Sequence, residues 1–246
     1  MFLRVAINRW FFPGIGVSRG EMLFLARHIL ESRIPGCIVE CGCYRGGSTS
    51  ILSLACKKAG RKLHVFDSFC GLPEPVDGDG SHRVFRDSEI HHYVKGGFAA
   101  SLETVKKNVS RFGAIDVCTF WPGYFEDTLP RFQESVAAVF CDADLVESIR
   151  TCVRFLWPLM PDGAIFFSHE AHHLEVAKFF YDDRWWRETL NQDAPGLIGA
   201  GSGLGLSFRR NRWGFHSSEL GFAQKNPPIL TLSEESQYPP AKRSIS

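Results

Sequence analysis

Val39-Glu40-Cys41-Gly42-Cys43-Tyr44-Arg45-Gly46-Gly47-Ser48 is the stretch that decides how the rest of the chain is read. A short apolar run, Cys37-Ile38-Val39, leads into it and has the character of a buried strand. Ser48 to Ala59 follows as a helix, with Gly60 placed as its C-terminal cap. Glu40-x-Gly42-x-x-x-Gly46-Gly47 therefore occupies a strand-to-helix turn. Glycine there lets the backbone bend sharply and lets a ligand approach the main chain. The spacing is not the GxGxxG of dinucleotide sites. No Lys-Ser/Thr pair follows, which argues against nucleoside-triphosphate hydrolysis.

Upstream, Ser18 and Glu21 have capping-box spacing, and Met22, Leu25, Ala26, Ile29 and Leu30 recur at helical period until Pro35-Gly36. Downstream, Leu63 to Phe66 is a strand closing on Asp67. Phe98, Leu102, Val105 and Val109 share the face of a third helix, ended by Gly113. Val117 to Trp121, Val136 to Cys141 and Ala164 to Phe167 are further strands. Leu145 to Leu156 is an amphipathic helix stopped by Pro158, and another helix covers 171 to 182. Leu204 to Arg209 and Trp213 to His216 finish the sheet. Such alternation implies an α/β fold with mostly parallel strands and helical crossovers. Ligands bind such sheets at the carboxyl ends of the strands. Glu40 to Gly47, Asp67, Gly123-Tyr124, Asp142 and His169-Glu170 all fall there.

The expected organisation is an N-terminal arm (1–17), one domain (18–223) and a loosely held polar tail (224–246) carrying two Pro-Pro pairs. Residues 68–97, rich in Pro, Gly, Asp and His, have no apolar periodicity and read as a lid or binding loop. With 246 residues, 44% of them hydrophobic and 22% charged, the chain can bury a core. Its 28 basic and 27 acidic residues leave a net charge of +1, which offers no footprint for nucleic acid or a membrane surface. No apolar run approaches the roughly 20 residues of a membrane span. Met1 to Gly16, interrupted by Arg4 and Arg9, does not read as a signal peptide. Most of the eight cysteines, Cys56, Cys118, Cys141 and Cys152 among them, sit in apolar runs as small core hydrophobes, which points to a reducing, cytoplasmic setting.

Asp67 comes 25 positions after Gly42 and is placed to accept hydrogen bonds from ribose hydroxyls. An acidic Glu40 beside the turn suits a cationic ligand better than a pyrophosphate. That favours S-adenosyl-L-methionine, which carries an ammonium, a sulfonium and no phosphate.

Four motifs occur in order: Val39 to Ser48; Phe66-Asp67-Ser68-Phe69-Cys70-Gly71-Leu72-Pro73-Glu74-Pro75; Gly123-Tyr124-Phe125-Glu126-Asp127-Thr128-Leu129-Pro130; and Asp142-Ala143-Asp144-Leu145-Val146-Glu147-Ser148. Over about residues 18 to 210 the chain resembles the macrocin O-methyltransferase (TylF/MycF-like) family. The resemblance implies a Rossmann-like class I fold with a mostly parallel seven-stranded sheet and helices on both faces. It implies S-adenosyl-L-methionine as cofactor and a hydroxyl of a small molecule, a sugar or natural product, as acceptor; a homo-oligomer is compatible with it. Glu40 and Gly42 would line the methionine end of the cofactor, with Ser48 beyond them. Asp67 would hold the ribose, Ser68 and Phe69 would border the adenosine, and Tyr124 and Phe125 the adenine side. Asp142 matches a carboxylate that binds magnesium and approaches the acceptor hydroxyl.

After the fifth strand the family usually has Asp-Asp-Tyr, whereas this chain has Ser168-His169-Glu170. Three readings stand open. Asp142, His169 and Glu170 could hold Mg2+ or another divalent metal. His169 could act without metal as the general base beside Asp142. The triplet could merely cap the next helix. His82, His91 and His92 lie in the lid, where one could close onto substrate. His172 and His173 begin a helix and read as solvated, and Trp185-Trp186 as packing. The competing functions are a catalytically inactive S-adenosyl-L-methionine-binding protein and, against the glycine spacing, an NAD-dependent oxidoreductase.

Overall fold

A computed structural model of the chain describes residues 16–76, 78–84, 90–199 and 219–227. β1 (Cys37–Cys41) is apolar except for Glu40, and all five residues are buried, as a central parallel strand covered on both faces requires. Cys37, Val39 and Cys41 join the core on one side of the sheet and Ile38 the core on the other, following the two-residue period of a strand.

β2 (Leu63–Asp67), β5 (Cys118–Pro122), β6 (Val136–Cys141) and β7 (Ile165–Ser168) complete the parallel part, and β8 (Gly221–Gln224) is added antiparallel to β7. The strand order is β5-β2-β1-β6-β7-β8. The described sheet thus has six strands where seven were expected. Leu204–Arg209 and Trp213–His216 lie outside the described residues, as do 1–15 and 228–246. The sixth strand comes instead from 221–224, which composition did not single out. Its last residue, Gln224, pairs with Ile165. Lys225 is buried and donates from Nζ to the Trp157 carbonyl at 2.7 Å. Both residues had been assigned to the loose tail.

α1 (Arg19–Glu31), α2 (Gly47–Ala59) and α3 (Leu102–Phe112) contribute to one core. α5 (Val146–Leu156), α6 (Leu174–Phe179) and α7 (Asp183–Leu190) contribute to the other, and the short α4 (Phe125–Thr128) follows β5. α1 has both halves of its capping box and ends at Glu31, ahead of Pro35-Gly36. Gly60 caps α2 in the left-handed conformation. α3 begins after Ser101, whose hydroxyl accepts from Thr104 N, so Phe98 lies outside the helix at φ +56 and 57% exposed. The single helix expected over 171–182 is a 3-10 turn (His169–His172) followed by α6, with α7 starting beyond it. Asp182 ends the run by turning its side chain to cap Trp185 N of α7. Trp186 is fully buried against Trp157 and Phe179, which is packing, as expected. No helix among the described residues is long and apolar enough to cross a membrane.

Residues 68–97 contain more order than composition suggests. β3 (Ser81–Arg83) and β4 (Ile90–His92) form an antiparallel hairpin that pairs His82 with His91. Asp79 clamps it to the body. The N-cap of α5, Leu145, offers no side-chain acceptor. The buried Asp79 carboxylate takes its place, accepting from Val146 N at 2.8 Å and Glu147 N at 3.0 Å while holding His82 Nε2 at 2.8 Å. Asp79→Ala should therefore cost about 2 kcal/mol in urea unfolding, the scale for hydrogen bonds to a charged acceptor. It should also open the hairpin to limited proteolysis. An unchanged midpoint and an uncut hairpin would show that the clamp contributes nothing.

Candidate active site

The carboxyl ends of β1, β2, β6 and β7 surround one cavity of about 600 Å³. Gly42, Asp67, Ser68, Tyr124, Phe125, Asp142, His169 and Glu170 all line it, joined by Tyr44, the hairpin residues Ile90 to Tyr93, Asp144, His172 and Glu219. Of the residues picked from sequence, Glu40, Ser48 and Phe69 are not part of its lining. Ser48 is buried in the first turn of α2 beside Glu40. Phe69 turns away at φ +55 to pack near Phe120, 6.4 Å between ring centroids.

Gly42 has φ +82, and a β-carbon there would stand 1.8 Å from the Asp142 carbonyl oxygen. The glycine is thus demanded first by the chain itself, because β1 and the turn after β6 approach too closely for any side chain. The sharp bend expected of this glycine is present, and the close approach it permits is first that of the chain itself. Asp67 ties two turns together: Oδ2 accepts from Cys43 N at 2.8 Å and Oδ1 from Phe69 N at 2.7 Å. Each oxygen keeps a further lone pair for a ligand hydroxyl. Ser68 is occupied within its own loop, donating to the Gly71 carbonyl at 2.7 Å and accepting from Cys70 N at 3.1 Å.

Glu40 is fully buried, and neither carboxyl oxygen has a hydrogen-bond partner among the described residues. Burial pushes its pKa up to about 8, aided by the charges of Asp142 and Asp67 and opposed by the nearby hydroxyls of Ser48 and Thr49. Asp144, backbone at φ +59, is also raised by burial and then by Asp142. Glu170, buried beside both aspartates, is raised well above the usual range for the same reasons.

His169 is set among three carboxylates, those of Asp142, Glu219 and Glu21. Its Nδ1 lies 3.3 Å from Asp142, and its Nε2 lies 3.4 Å from Glu219 and 3.9 Å from Glu21. Burial opposes the charge on the ring, but the three carboxylates outweigh it and raise the pKa to about 9. Burial would raise Asp142, yet the facing His169 holds it low. A quarter of the Asp142 side chain, 27%, stays open. Sequence reasoning missed Glu21 and Glu219 as partners of His169. In the sequence Glu21 reads only as half of a capping box, and it also accepts from Glu219 N at 2.8 Å, 198 positions further along the chain.

His172 and His173 are not solvated. His173 is buried, His172 lines the cavity, and burial lowers both below the ordinary histidine value. His82 is buried on Asp79 and does not reach the cavity, whereas His91 and His92 line it.

The lining includes six carboxylates, Asp67, Glu126, Asp142, Asp144, Glu170 and Glu219, and no Lys or Arg among the described residues. Such a cavity repels a pyrophosphate and accepts a cation. It can also take a proton from, or orient, a neutral hydroxyl through Asp142.

The model of the macrocin O-methyltransferase (TylF) family matches residues 15–190. The chain is 35% identical over 164 residues to an 8-demethyl-8-(2,3-dimethoxy-alpha-L-rhamnosyl)-tetracenomycin-C 4'-O-methyltransferase of Streptomyces olivaceus, covering 64% of this chain and 62% of that one. It is 32% identical over 160 residues to the mycinamicin III 3''-O-methyltransferase of Micromonospora griseorubida, covering 61% of each. The matched region thus spans about six tenths of the length of these curated relatives. Among solved structures, the O-methyltransferase NovP superposes with a TM-score of 0.61 at 22% identity, covering 84% of this chain and 79% of that one. CalS11, a calicheamicin methyltransferase, superposes at 0.57 and 20% identity, covering 83% and 77%. These two structures share the α/β fold of this chain.

Glu40 makes stability depend on pH in a stated direction. Its folded pKa is near 8 against an ordinary 4.5, so between those values the folded state keeps a proton that the unfolded chain releases. Stability of the ligand-free protein should fall as pH rises through this window, at up to about 1.4 kcal/mol per pH unit for this one group. Glu40→Gln should flatten the dependence by one proton. Equal slopes for both proteins, in urea unfolding from pH 5 to 8, would show that Glu40 is not held protonated.

Proposed function

Because the chain belongs to the macrocin O-methyltransferase family, whose model matches residues 15–190, we propose that it transfers the methyl group of S-adenosyl-L-methionine to a hydroxyl of a sugar-bearing small molecule. The observation that carries this reading is the cavity at the strand ends, lined by six carboxylates and no Lys or Arg among the described residues, with Glu40 buried behind it. Acids gathered at one edge repel one another, and a ligand cation relieves that repulsion. The sugar is supported by the name of the relative from Streptomyces olivaceus, which specifies a rhamnosyl tetracenomycin. A cavity of about 600 Å³ falls in the small-molecule range.

In this reading Asp67 faces the ribose hydroxyls, Tyr124 and Phe125 lie against the base, and Glu40 adds acidity for the amino group from behind Gly42. Ser48 and Phe69 act from behind, by packing. S-adenosyl-L-methionine, once bound, supplies a methyl group on a positive sulfur. The protein then has to orient a hydroxyl and receive its proton. Asp142 does both. As the oxygen gains a carbon it becomes a far stronger acid, so even a carboxylate of low pKa can take the proton late in the transfer.

His169 serves as the cation that fixes Asp142. Carboxylates stand on both sides of the ring, 3.3 Å from Nδ1 and 3.4 Å from Nε2, and hold it charged at neutral pH. A charged imidazole is not a proton acceptor. The trio Asp142, His169 and Glu170 brings its ligand atoms within 4.8 Å of one another, yet it does not suit magnesium. Magnesium takes oxygen ligands in a near-ideal octahedron. Here one donor is a nitrogen already engaged by acids, and Glu170 is buried and favours its proton. No step is assigned to magnesium.

Asp142→Asn should abolish methyl transfer in a product assay with glycosylated acceptors, while the Kd for S-adenosyl-L-methionine by calorimetry changes less than about threefold. Added Mg2+ should leave the wild-type rate unchanged. Full activity of the variant would remove Asp142 from the chemistry.

A further inference from the structure

Histidines distant in sequence meet at the edge of the cavity, apart from the acid trio. The bridge between Val84 and His173 brings the hairpin onto the turn that carries His172 and His173. His173 Nε2 lies 2.9 Å from His91 Nδ1, and the rings of His172 and His173 have centroids 3.9 Å apart. One ring nitrogen from each of His91, His172 and His173 lies within 4.8 Å of those of the other two.

The tautomer of His172 follows from its neighbour. Nδ1 is 3.3 Å from the His169 carbonyl oxygen, which can only accept. The proton is therefore on Nδ1, and Nε2 presents a lone pair. That Nε2 is buried and has no partner among the described residues. A backbone carbonyl holding one ring nitrogen so that the other can ligate is the usual second shell of a metal-bound histidine. His173 Nδ1 is likewise buried without a partner among the described residues.

Tetrahedral zinc with bonds of about 2.0–2.1 Å sets its ligand nitrogens about 3.4 Å apart. The separations here, 2.9 Å at one contact and no more than 4.8 Å across the trio, bracket that value. Small side-chain rotations would close the set. Three imidazoles select a transition ion over magnesium or calcium.

We propose that His91, His172 and His173 bind one divalent transition-metal ion of the zinc class, which pins the β3–β4 hairpin to the body. His91 and His172 line the cavity. Three protein ligands leave the fourth position of a tetrahedral ion for a ligand oxygen on that side. The proposal stands on this cluster alone and does not depend on methyl transfer.

The test uses the full chain, stripped with a chelator and exchanged into metal-free buffer, with Co2+ as a spectroscopic probe. One equivalent should bind, with visible bands of a nitrogen-ligated ion of low coordination number. His91→Ala and His172→Ala should each weaken binding by roughly 100-fold or more, the effect of losing a ligand rather than an outer neighbour. Asp142→Asn should leave it unchanged. Bound Zn2+ should protect the wild-type hairpin from proteolysis and should not protect the His91→Ala protein. His91 is half-buried on the hairpin, so its removal spares the core, and circular dichroism confirms that the variant folds. Absence of stoichiometric Co2+ binding would reduce the cluster to a hydrogen-bonded histidine pair and overturn the proposal. Binding retained in His91→Ala and lost in Asp142→Asn would overturn it equally, by moving the ion to the acid trio.

Discussion

Negative charge concentrated at one edge of a parallel sheet is the condition to which the rest of this structure answers. β1 carries Glu40 near its end, β2 ends at Asp67, β6 is followed by Asp142 and Asp144, and β7 by Glu170. At about 4 Å and an effective dielectric of about 20, two like charges repel by about 4 kcal/mol. That is comparable to a small domain's whole margin of stability. These acids cannot all ionise together. Burial and mutual repulsion raise Glu40, Asp144 and Glu170, while Asp142 stays ionised because His169 faces it. The protein supplies only imidazole as counter-charge among the described lining residues. A cationic ligand is the natural complement, and that is why the electrostatics and the family point the same way.

His169 ties the site to the frame around it. Its position after β7 sets it against Asp142 on one side and against Glu21 and Glu219 on the other. An organic cation of fixed geometry thereby neutralises Asp142 and limits its directions. The helix-capping Glu21 and the segment leading to β8 are drawn into the same network, since Glu21 also accepts from Glu219 N and Leu220 N at 2.8 and 3.2 Å. Fold stability and site electrostatics therefore share residues and cannot be varied independently here.

The parallel strands and the acids at their ends were legible in the sequence because they depend on local pattern. The apolar run Val136 to Cys141 and the glycine turn after Cys41 say enough by themselves. Asp67 was legible as a site residue, although its two ties to Cys43 N and Phe69 N were not. What escaped rests on contacts between distant segments. Asp79 looks like any acid in a polar loop until α5 is seen to lack a cap of its own. β8 is too short and mixed to stand out, and it becomes a strand only because β7 offers an open edge. His172 and His173 looked solvated because nothing local reveals that a hairpin from residues 81–92 covers them. Phe98 had the right spacing for α3, but the cap at Ser101 starts the helix later.

The two walls of the cavity differ in origin, and this bears on what each can determine. One wall is the sheet edge, where Gly42 passes so near the Asp142 carbonyl that no side chain fits between them. A wall so close-packed has little freedom to vary, which suits a ligand common to a whole family. The other wall is the β3–β4 hairpin, short-stranded, largely polar and held to the body through Asp79, the Val84–His173 bridge and an ion pair of Arg83 with Glu175 at 2.8 Å. Loops on a rigid scaffold are where binding preferences change most readily. The hairpin contributes Ile90, His91, His92 and Tyr93 to the lining, a set unlike the acids opposite. Under the proposed function, recognition of the methyl donor falls to the sheet and discrimination among acceptors to the hairpin, whose placement is set by contacts within the protein.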